Sequence, residues 1–307
     1  MEAGARVMGL AELCRLGDLV LIKDARIASL GFVDIPLEGR LVFAGSRSFL
    51  HGALGTTGIA AILTTAQLAA TISDGAIGVA CADDPRRAFA DLHNALVDTT
   101  NFYGEMQPTV VADDVSIHAR AFVDNHGVAL GRRCRIEAGA VVLRSATLAD
   151  DVRVMPGAVI GSDGFQVMKF GDDLIDLKHA GGVVLGPRSV VMANAVIARA
   201  VFRQSTTIGA DCRIGNGAFV SHNVQIGDRT LIGHGAIVAG NCRIGEGVTI
   251  GPGAVCLDRL EIGDGAHVTA GAVVTKSVPA GERVSGNFAI PHARLVRAVK
   301  AAADGAA

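Results

Sequence analysis

From Ile208 to Val274 an aliphatic or near-aliphatic residue recurs at every sixth position: Ile208, Ile214, Val220, Ile226, Ile232, Val238, Ile244, Ile250, Cys256, Ile262, Val268 and Val274. Seven of these are followed directly by glycine, as in TIGADC and RIGEGV. A six-residue period excludes an amphipathic helix, which needs about 3.6, and a plain strand, which alternates every second residue. It fits a left-handed parallel β-helix: a triangular coil whose sides are short strands, each pointing one aliphatic inward. Three sides complete a turn, so residues about 18 apart stack in a parallel ladder. Gly, Asn and Asp near the corners tolerate the left-handed backbone that a sharp corner requires.

A weaker register runs Val111, Ile117, Val123, then Leu130, Ile136, Val142, Leu148, Val154 and Ile160; the one-residue slip after Val123 predicts a distorted corner. A third stretch, Val184, Val190, Val196, Phe202, leads into the strong block. Between them, residues 162–182 (SDGFQVMKFGDDLIDLKHAGG) are polar and out of register, which predicts a loop thrown out from the coil. Long loops on rigid scaffolds often carry function.

Three regions follow. Residues 1–105 read as an α/β domain, with strand-like runs IASLGFVDI, GRLVFA, IAAILTT and IGVACA and a helix from Pro85 to Val97. Residues 106–280 form the coil with its loop. Residues 281–307 are an extension in which Pro291 opens a short helix. Arg294, Arg297 and Lys300 stand on that helix at i, i+3, i+6, as a basic strip suited to an acidic carrier protein or as a solvated face.

Composition narrows the picture. Half of the 307 residues are hydrophobic but only 4% aromatic, with no Trp and 39 Gly, which suits small stacked layers. A net charge of −2 gives no basic surface for nucleic acid. No apolar run approaches the roughly 20 residues of a membrane helix, and the charged start has no signal-peptide core. The six cysteines are dispersed without a CxxC pair; they read as reduced packing thiols, and the expected location is cytoplasmic.

Against such a wall the nine histidines stand out. His222 and His234 both lie two residues after a repeat aliphatic, which predicts an outer position beside a corner. A neutral imidazole there suits a general base, because amide formation from a thioester requires the amine to lose a proton, and backbone N–H groups at glycine corners suit the developing oxyanion. No compact cluster of metal ligands is present in the sequence, so no metal is expected.

Four strings carry a resemblance: SHNVQIGDRTLIGHGAIVAGNCRIGEG (Ser221–Gly247), GSDGF (Gly161–Phe165), SGNFAIPHARLVR (Ser285–Arg297) and GRLVFAGSRSFL (Gly39–Leu50). Together they resemble the UDP-3-O-acylglucosamine N-acyltransferases of lipid A (lipopolysaccharide) biosynthesis, over nearly the whole chain. The resemblance implies a homotrimer with active sites between subunits, an acyl group taken from acyl carrier protein, a nucleotide-linked amino sugar as acceptor, and no cofactor. It places the general base on His222 and the oxyanion-binding N–H on Gly240. It places the uracil-holding rings on Phe43 and Phe49; Asn223, His234 and Arg259 complete the substrate-binding candidates.

The chain departs from the pattern at named positions. Ala198, in IARA, stands where the family has an Asp in IDRG; Arg259, in DRLEI, stands where it has a second His; Gln166 replaces a Gly after DGF, and the loop lacks the usual PQ. These departures leave two other readings open. One is an acyl-CoA-dependent N-acyltransferase of another nucleotide-linked amino sugar from a surface-polysaccharide pathway, and the other a non-catalytic nucleotide-sugar-binding β-helix. Which sugar, nucleotide base and acyl chain length apply is not encoded in these motifs.

Overall fold

The computed structural model describes residues 6–73, 75, 77–286 and 291–304. Its larger part is the predicted β-helix, with three walls of 8, 8 and 9 short strands. One ladder carries Arg213 opposite Leu231, Leu231 opposite Thr249 and Thr249 opposite His267, a step of 18 residues per coil. All twelve repeat aliphatics of the strong block are buried in one continuous core. A second inward position, four residues further on, holds small or medium residues such as Cys212, Ala218, Val224 and Ala236. Cys134, Cys212 and Cys242 belong to this series, and each thiol donates to a carbonyl of the next coil, at 3.1, 3.2 and 3.0 Å. All six cysteines are free and buried.

The glycine that follows seven of the aliphatics is there for clearance. A Cβ on Gly215 would stand 2.6 Å from the His234 nitrogen of the next coil, and one on Gly227 would stand 2.7 Å from the Glu246 nitrogen. The left-handed corner falls two residues later, and the three corners differ. One is mostly glycine (Gly139, Gly157, Gly217, Gly235). The second alternates in charge over successive coils: Arg133, Asp151, Arg188, Asp211, Arg229, all with positive φ. Arg133 pairs with Asp151 at 2.7 Å and Arg188 with Asp211 at 2.6 Å. The third holds Asn223, Asn241 and Arg259.

Two insertions leave the coil. Val190 opposite Arg153 spans 37 residues and Arg213 opposite Val190 spans 23, so the second excess is five residues. The first insertion is the predicted loop, and it contains an antiparallel hairpin of Val167–Phe170 with Asp173–Asp176. The second, around residues 199–204, corrects the sequence reading. Phe202 is not a repeat aliphatic; it joins a separate core with Phe32, Phe89 and His93. The stretch Val184, Val190, Val196 is likewise one residue out of register: Leu185, Val191 and Ile197 pair with Leu148, Val154 and Ile160 and lie in the coil core, while Val184 is exposed. Past residue 280 the coil continues for one more strand, Arg283–Val284, paired with His267–Val268.

The N-terminal region forms a five-stranded sheet in the order Val20–Lys23, Gly78–Cys81, Ile59–Thr64, Arg40–Ala44, Ser29–Leu30; the first strand is antiparallel and was not foreseen. Strand alternation divides Arg40–Ala44 between two layers: Leu41 and Phe43 face the core of helix Pro85–Thr99, while Val42 and Ala44 face helix Arg47–Leu54. Asp84 caps the longer helix through the Arg86 and Arg87 N–H groups, with proline in its first turn. That helix also grips the first insertion. Arg87 pairs with Asp173 at 2.7 Å, the Arg86 guanidinium lies 4.7 Å over the Phe170 ring, and Asn94 donates to the Asp176 carbonyl at 2.9 Å. Residues 287–290 of the C-terminal resemblance lie outside the described residues; beyond them His292–Asp304 is helical.

The charged corner makes a stability prediction. Asp151→Arg places like charges on three successive coils, so the melting temperature is expected to fall at low ionic strength. The deficit should shrink as salt screens the row; thermal melts at two salt concentrations check this, and a salt-independent deficit would point to packing instead.

Candidate active site

The third corner carries His222. Strand Phe219–Val220 ends, His222 and Asn223 turn the corner, and Gln225–Ile226 begins the next wall. The 18-residue step stacks His222, Gly240 and Asp258 in a column. Asn241 N–H donates to the His222 carbonyl and Arg259 N–H to the Gly240 carbonyl, both at 3.0 Å. The imidazole lies on Gly240: a Cβ there would stand 2.6 Å from Cε1 and 2.8 Å from Nε2. Gly240 is therefore required by the ring it supports. Its own N–H has no carbonyl partner in the backbone ladder among the described residues.

His222 is 5% exposed, and its Nδ1 is buried without a hydrogen-bond partner among the described residues. Burial pushes its pKa below the ordinary value. The Asn223 side chain opposes that shift, Arg259 adds to it and Asp258 opposes it. On the other side, Gly164 of the inserted loop packs against Cδ2, and His179 meets the ring edge-to-face at 5.7 Å between centroids. Burial also lowers His179, to about 4, with Asp163 opposing.

Two clefts flank this corner. One of about 650 Å³ is lined by Asp34, Pro36, Asn223, Asn241, Arg243 and Arg259. The other, of about 760 Å³, is lined by Tyr103, Arg144, His179 and Arg199 among others. Both include Val184, Gln204 and Ser205. His222 stands between them, since its chain neighbour lines the first and its ring neighbour the second.

The other sequence candidates fall in different places. Asn223 adjoins His222, but its amide is committed: it accepts from Val201 N–H at 3.0 Å and donates to Gln204 Oε1, while its backbone N–H donates to Thr206 Oγ1 at 2.9 Å. Arg259 bonds Asp34, in the turn between strands Ser29–Leu30 and Arg40–Ala44, at 2.6 Å and Asp258 at 2.9 Å, bridging the two regions at the rim of the first cleft. His234 is at a different corner, between Leu231–Ile232 and Ile237–Val238, so the equal repeat slot does not place it beside His222. Its Nδ1 accepts from Asn216 N–H at 2.9 Å, capping the preceding coil. Phe43 packs against Phe32 and Phe89, whereas Phe49, on the helix behind the opposite face of the sheet, is 66% exposed. Arg294, Arg297 and Lys300 are exposed on the last helix. Ala198 is fully buried, and beside it Arg199 pairs with Asp163 at 2.7 Å. Asp163 lies in the GSDGF string and Asp258 in DRLEI, though neither carried a role in the sequence reading, and nothing in the sequence marked His179.

Comparison with known proteins agrees with this architecture. The family described as bacterial transferase hexapeptide (six repeats) matches residues 205–240 and 223–258, and the hexapeptide repeat of succinyl-transferase matches 108–144 and 241–276. A UDP-3-O-acylglucosamine N-acyltransferase of Caulobacter vibrioides is 41% identical over 96 residues, 31% of this chain and 28% of the relative. One of Maricaulis maris is 34% identical over 88 residues, 29% of this chain and 25% of the relative. This chain carries hexapeptide repeats and is similar, over part of its length, to UDP-3-O-acylglucosamine N-acyltransferases. The matched stretch spans little more than a quarter of those relatives' length. The solved UDP-N-acetylglucosamine acyltransferase of Campylobacter jejuni, 20% identical, superposes with a TM-score of 0.51 over 63% of this chain and 78% of its own, which shows the shared left-handed β-helix. No helix among the described residues is long and apolar enough to cross a membrane, and among them no group of His, Cys, Asp and Glu is arranged to hold a metal ion.

The buried histidines predict an acid-sensitive fold. His93, which sits between the Tyr103 hydroxyl and the Lys178 carbonyl at 2.7 Å each, is lowered by burial to about 4. His93 and His179 thus take a proton in the folded chain only near pH 4, while the unfolded chain takes it near the ordinary 6.5. The stability they contribute is complete above pH 6.5 and is lost as pH falls towards 4. The melting temperature should drop across that window, and less steeply in His93→Gln. Titration of His222 by NMR should give a midpoint below the ordinary imidazole value.

Proposed function

We propose that this protein transfers an acyl group from a thioester to the amine of a nucleotide-linked sugar, with UDP-3-O-acylglucosamine as the first acceptor to test. The observation that carries the reading is the His222–Gly240 pair: a buried, neutral imidazole lying directly on a glycine whose N–H is left free by the ladder. In this reaction the sugar amine attacks the thioester carbonyl, His222 takes the amine proton, and the Gly240 N–H donates to the tetrahedral oxyanion. Collapse releases the thiol, which regains the proton, and leaves an amide. The names of the relatives support the acceptor class.

The cleft beside Asn223 and Arg259 runs towards the N-terminal sheet and offers room for the acceptor. Phe49 is the ring open to a pyrimidine face, while Phe43 packs in the core. The exposed strip Arg294, Arg297, Lys300 supports acyl carrier protein over CoA as donor, because a basic helix face steers an acidic partner. Exposed apolar residues on the walls, among them Val184, Leu231, Ile237 and Val273, support packing of the prism into a trimer.

His222→Ala is expected to lower kcat by about 10²–10⁴ while the fold persists, read as free thiol released from a matrix of acyl carrier protein and CoA donors against several UDP-amino sugars. Wild-type turnover in that variant would remove His222 as the base. Phe49→Ala should weaken acceptor binding by roughly 1–3 kcal/mol without lowering the melting temperature. Light scattering should give a trimer; a stable species at the 31.4 kDa chain mass would exclude it.

A further inference from the structure

The Asn223 side chain lies close enough to His222 to favour its charged form, yet Nδ1 of His222 makes no hydrogen bond of good geometry among the described residues. The side-chain torsion that turns an imidazole is broad, and a hydrogen bond at Nδ1 is the usual way of fixing it. Here Nδ1 has no such partner, so packing must fix the ring instead. One surface is Gly240. The other is the start of the inserted loop.

That segment is pinned at two consecutive residues. Arg199, whose side chain is 9% exposed, holds the Asp163 carboxylate at 2.7 Å. The next residue, Gly164, donates its N–H to Nε2 of His179 at 3.1 Å. His179 is itself 2% exposed and fully committed, because its Nδ1 lies 3.2 Å from the Leu177 carbonyl. A carbonyl only accepts and an amide N–H only donates, so the ring is neutral with its proton on Nδ1. Gly164 is wedged between the two imidazoles: a Cβ there would stand 3.0 Å from Cδ2 of His222 and 3.2 Å from Nε2 of His179. His179 also touches His222 directly, ring to ring, at an interplanar angle of 70°.

We propose that His179 is a positioning residue for His222: by holding Gly164 against one edge of the imidazole and packing on the ring, it presses His222 onto Gly240 in the single orientation that brings the base beside the oxyanion-binding N–H. This rests on the reading of His222 as the base. His179 needs no contact with substrate to act in this way. Its effect is transmitted entirely through the His222 ring.

The test is a double-mutant cycle on the full chain, with thiol release from acyl carrier protein thioester as the readout. His179→Phe keeps the ring volume and removes the acceptor for Gly164. It should lower kcat about 10- to 100-fold, the usual cost of a misplaced group, with the acceptor KM little changed. His179→Gln keeps a neutral acceptor at the same reach and should recover most of that loss. In a His222→Ala background, His179→Phe should have no further effect, since the ring it positions is gone. The same factor lost in both backgrounds, or a rise in KM at unchanged kcat, overturns the proposal while leaving the base in place. Should His179→Phe fail to fold, Gly164→Ala carries the cycle, for its Cβ enters the same wedge and must show the same dependence on His222. Wild-type turnover in His222→Ala would defeat the reading of the base, and this proposal with it.

Discussion

The close approach of one coil to the next is the constraint on which this structure depends. Backbone ladders fix the spacing between coils, and where glycine follows the inward aliphatic that spacing leaves no room for a Cβ: at Gly233 it would stand 2.4 Å from the Pro252 nitrogen. Glycine serves clearance at those seven positions, the corner of His222 carries Ser221, Ala239 and Leu257 in the same slot, and the left-handed position two residues later takes asparagine, arginine or aspartate as readily as glycine. The core inside is uniform, alternating an aliphatic with a small residue. Individuality is left to the corners and to what is inserted between them.

The candidate site follows from the same geometry. An 18-residue step puts His222, Gly240 and Asp258 in one column, so the ring of one coil rests on the backbone of the next. The position two residues after the aliphatic normally faces outward; here the Asp163–Gly164 segment covers it and removes the imidazole from solvent. A charged imidazole is costly in such surroundings, which keeps His222 in the basic form that proton abstraction needs.

The two insertions turn a rod into a site. The Val167–Phe170 and Asp173–Asp176 hairpin is gripped by helix Pro85–Thr99, and Phe202 of the second excursion enters the aromatic core around Phe89. His93 joins these parts, bonding Tyr103 on one side and Lys178 on the other. The N-terminal region, the loop over His222 and the coil are thus one packed unit around the corner. Arg259 adds a tie from the rim of the cleft to Asp34.

The six-residue period determined the coil, its three walls and the exact inward residues of the strong block, because a parallel ladder with one aliphatic per side writes itself into the chain at fixed spacing. The same local signal misplaced the stretch before Ile208 by one residue and took in Phe202, since the five-residue excursion breaks the count and valines on both faces of a strand leave the inward one ambiguous. The motif around His222 marked the base candidate and Gly240. The six-residue count separates His234 from His222: 12 residues is two sides of an 18-residue turn, so the equal repeat slot lies at another corner. His179 was silent, and Asp163 without a role although it lies in GSDGF, for a different reason. They come from an aperiodic insertion, and the contacts that give them meaning, Gly164 across 15 residues and Arg199 across 36, exist only once the loop folds back over the coil. Periodicity is a property of the chain; convergence of an insertion on a corner is a property of the packed molecule.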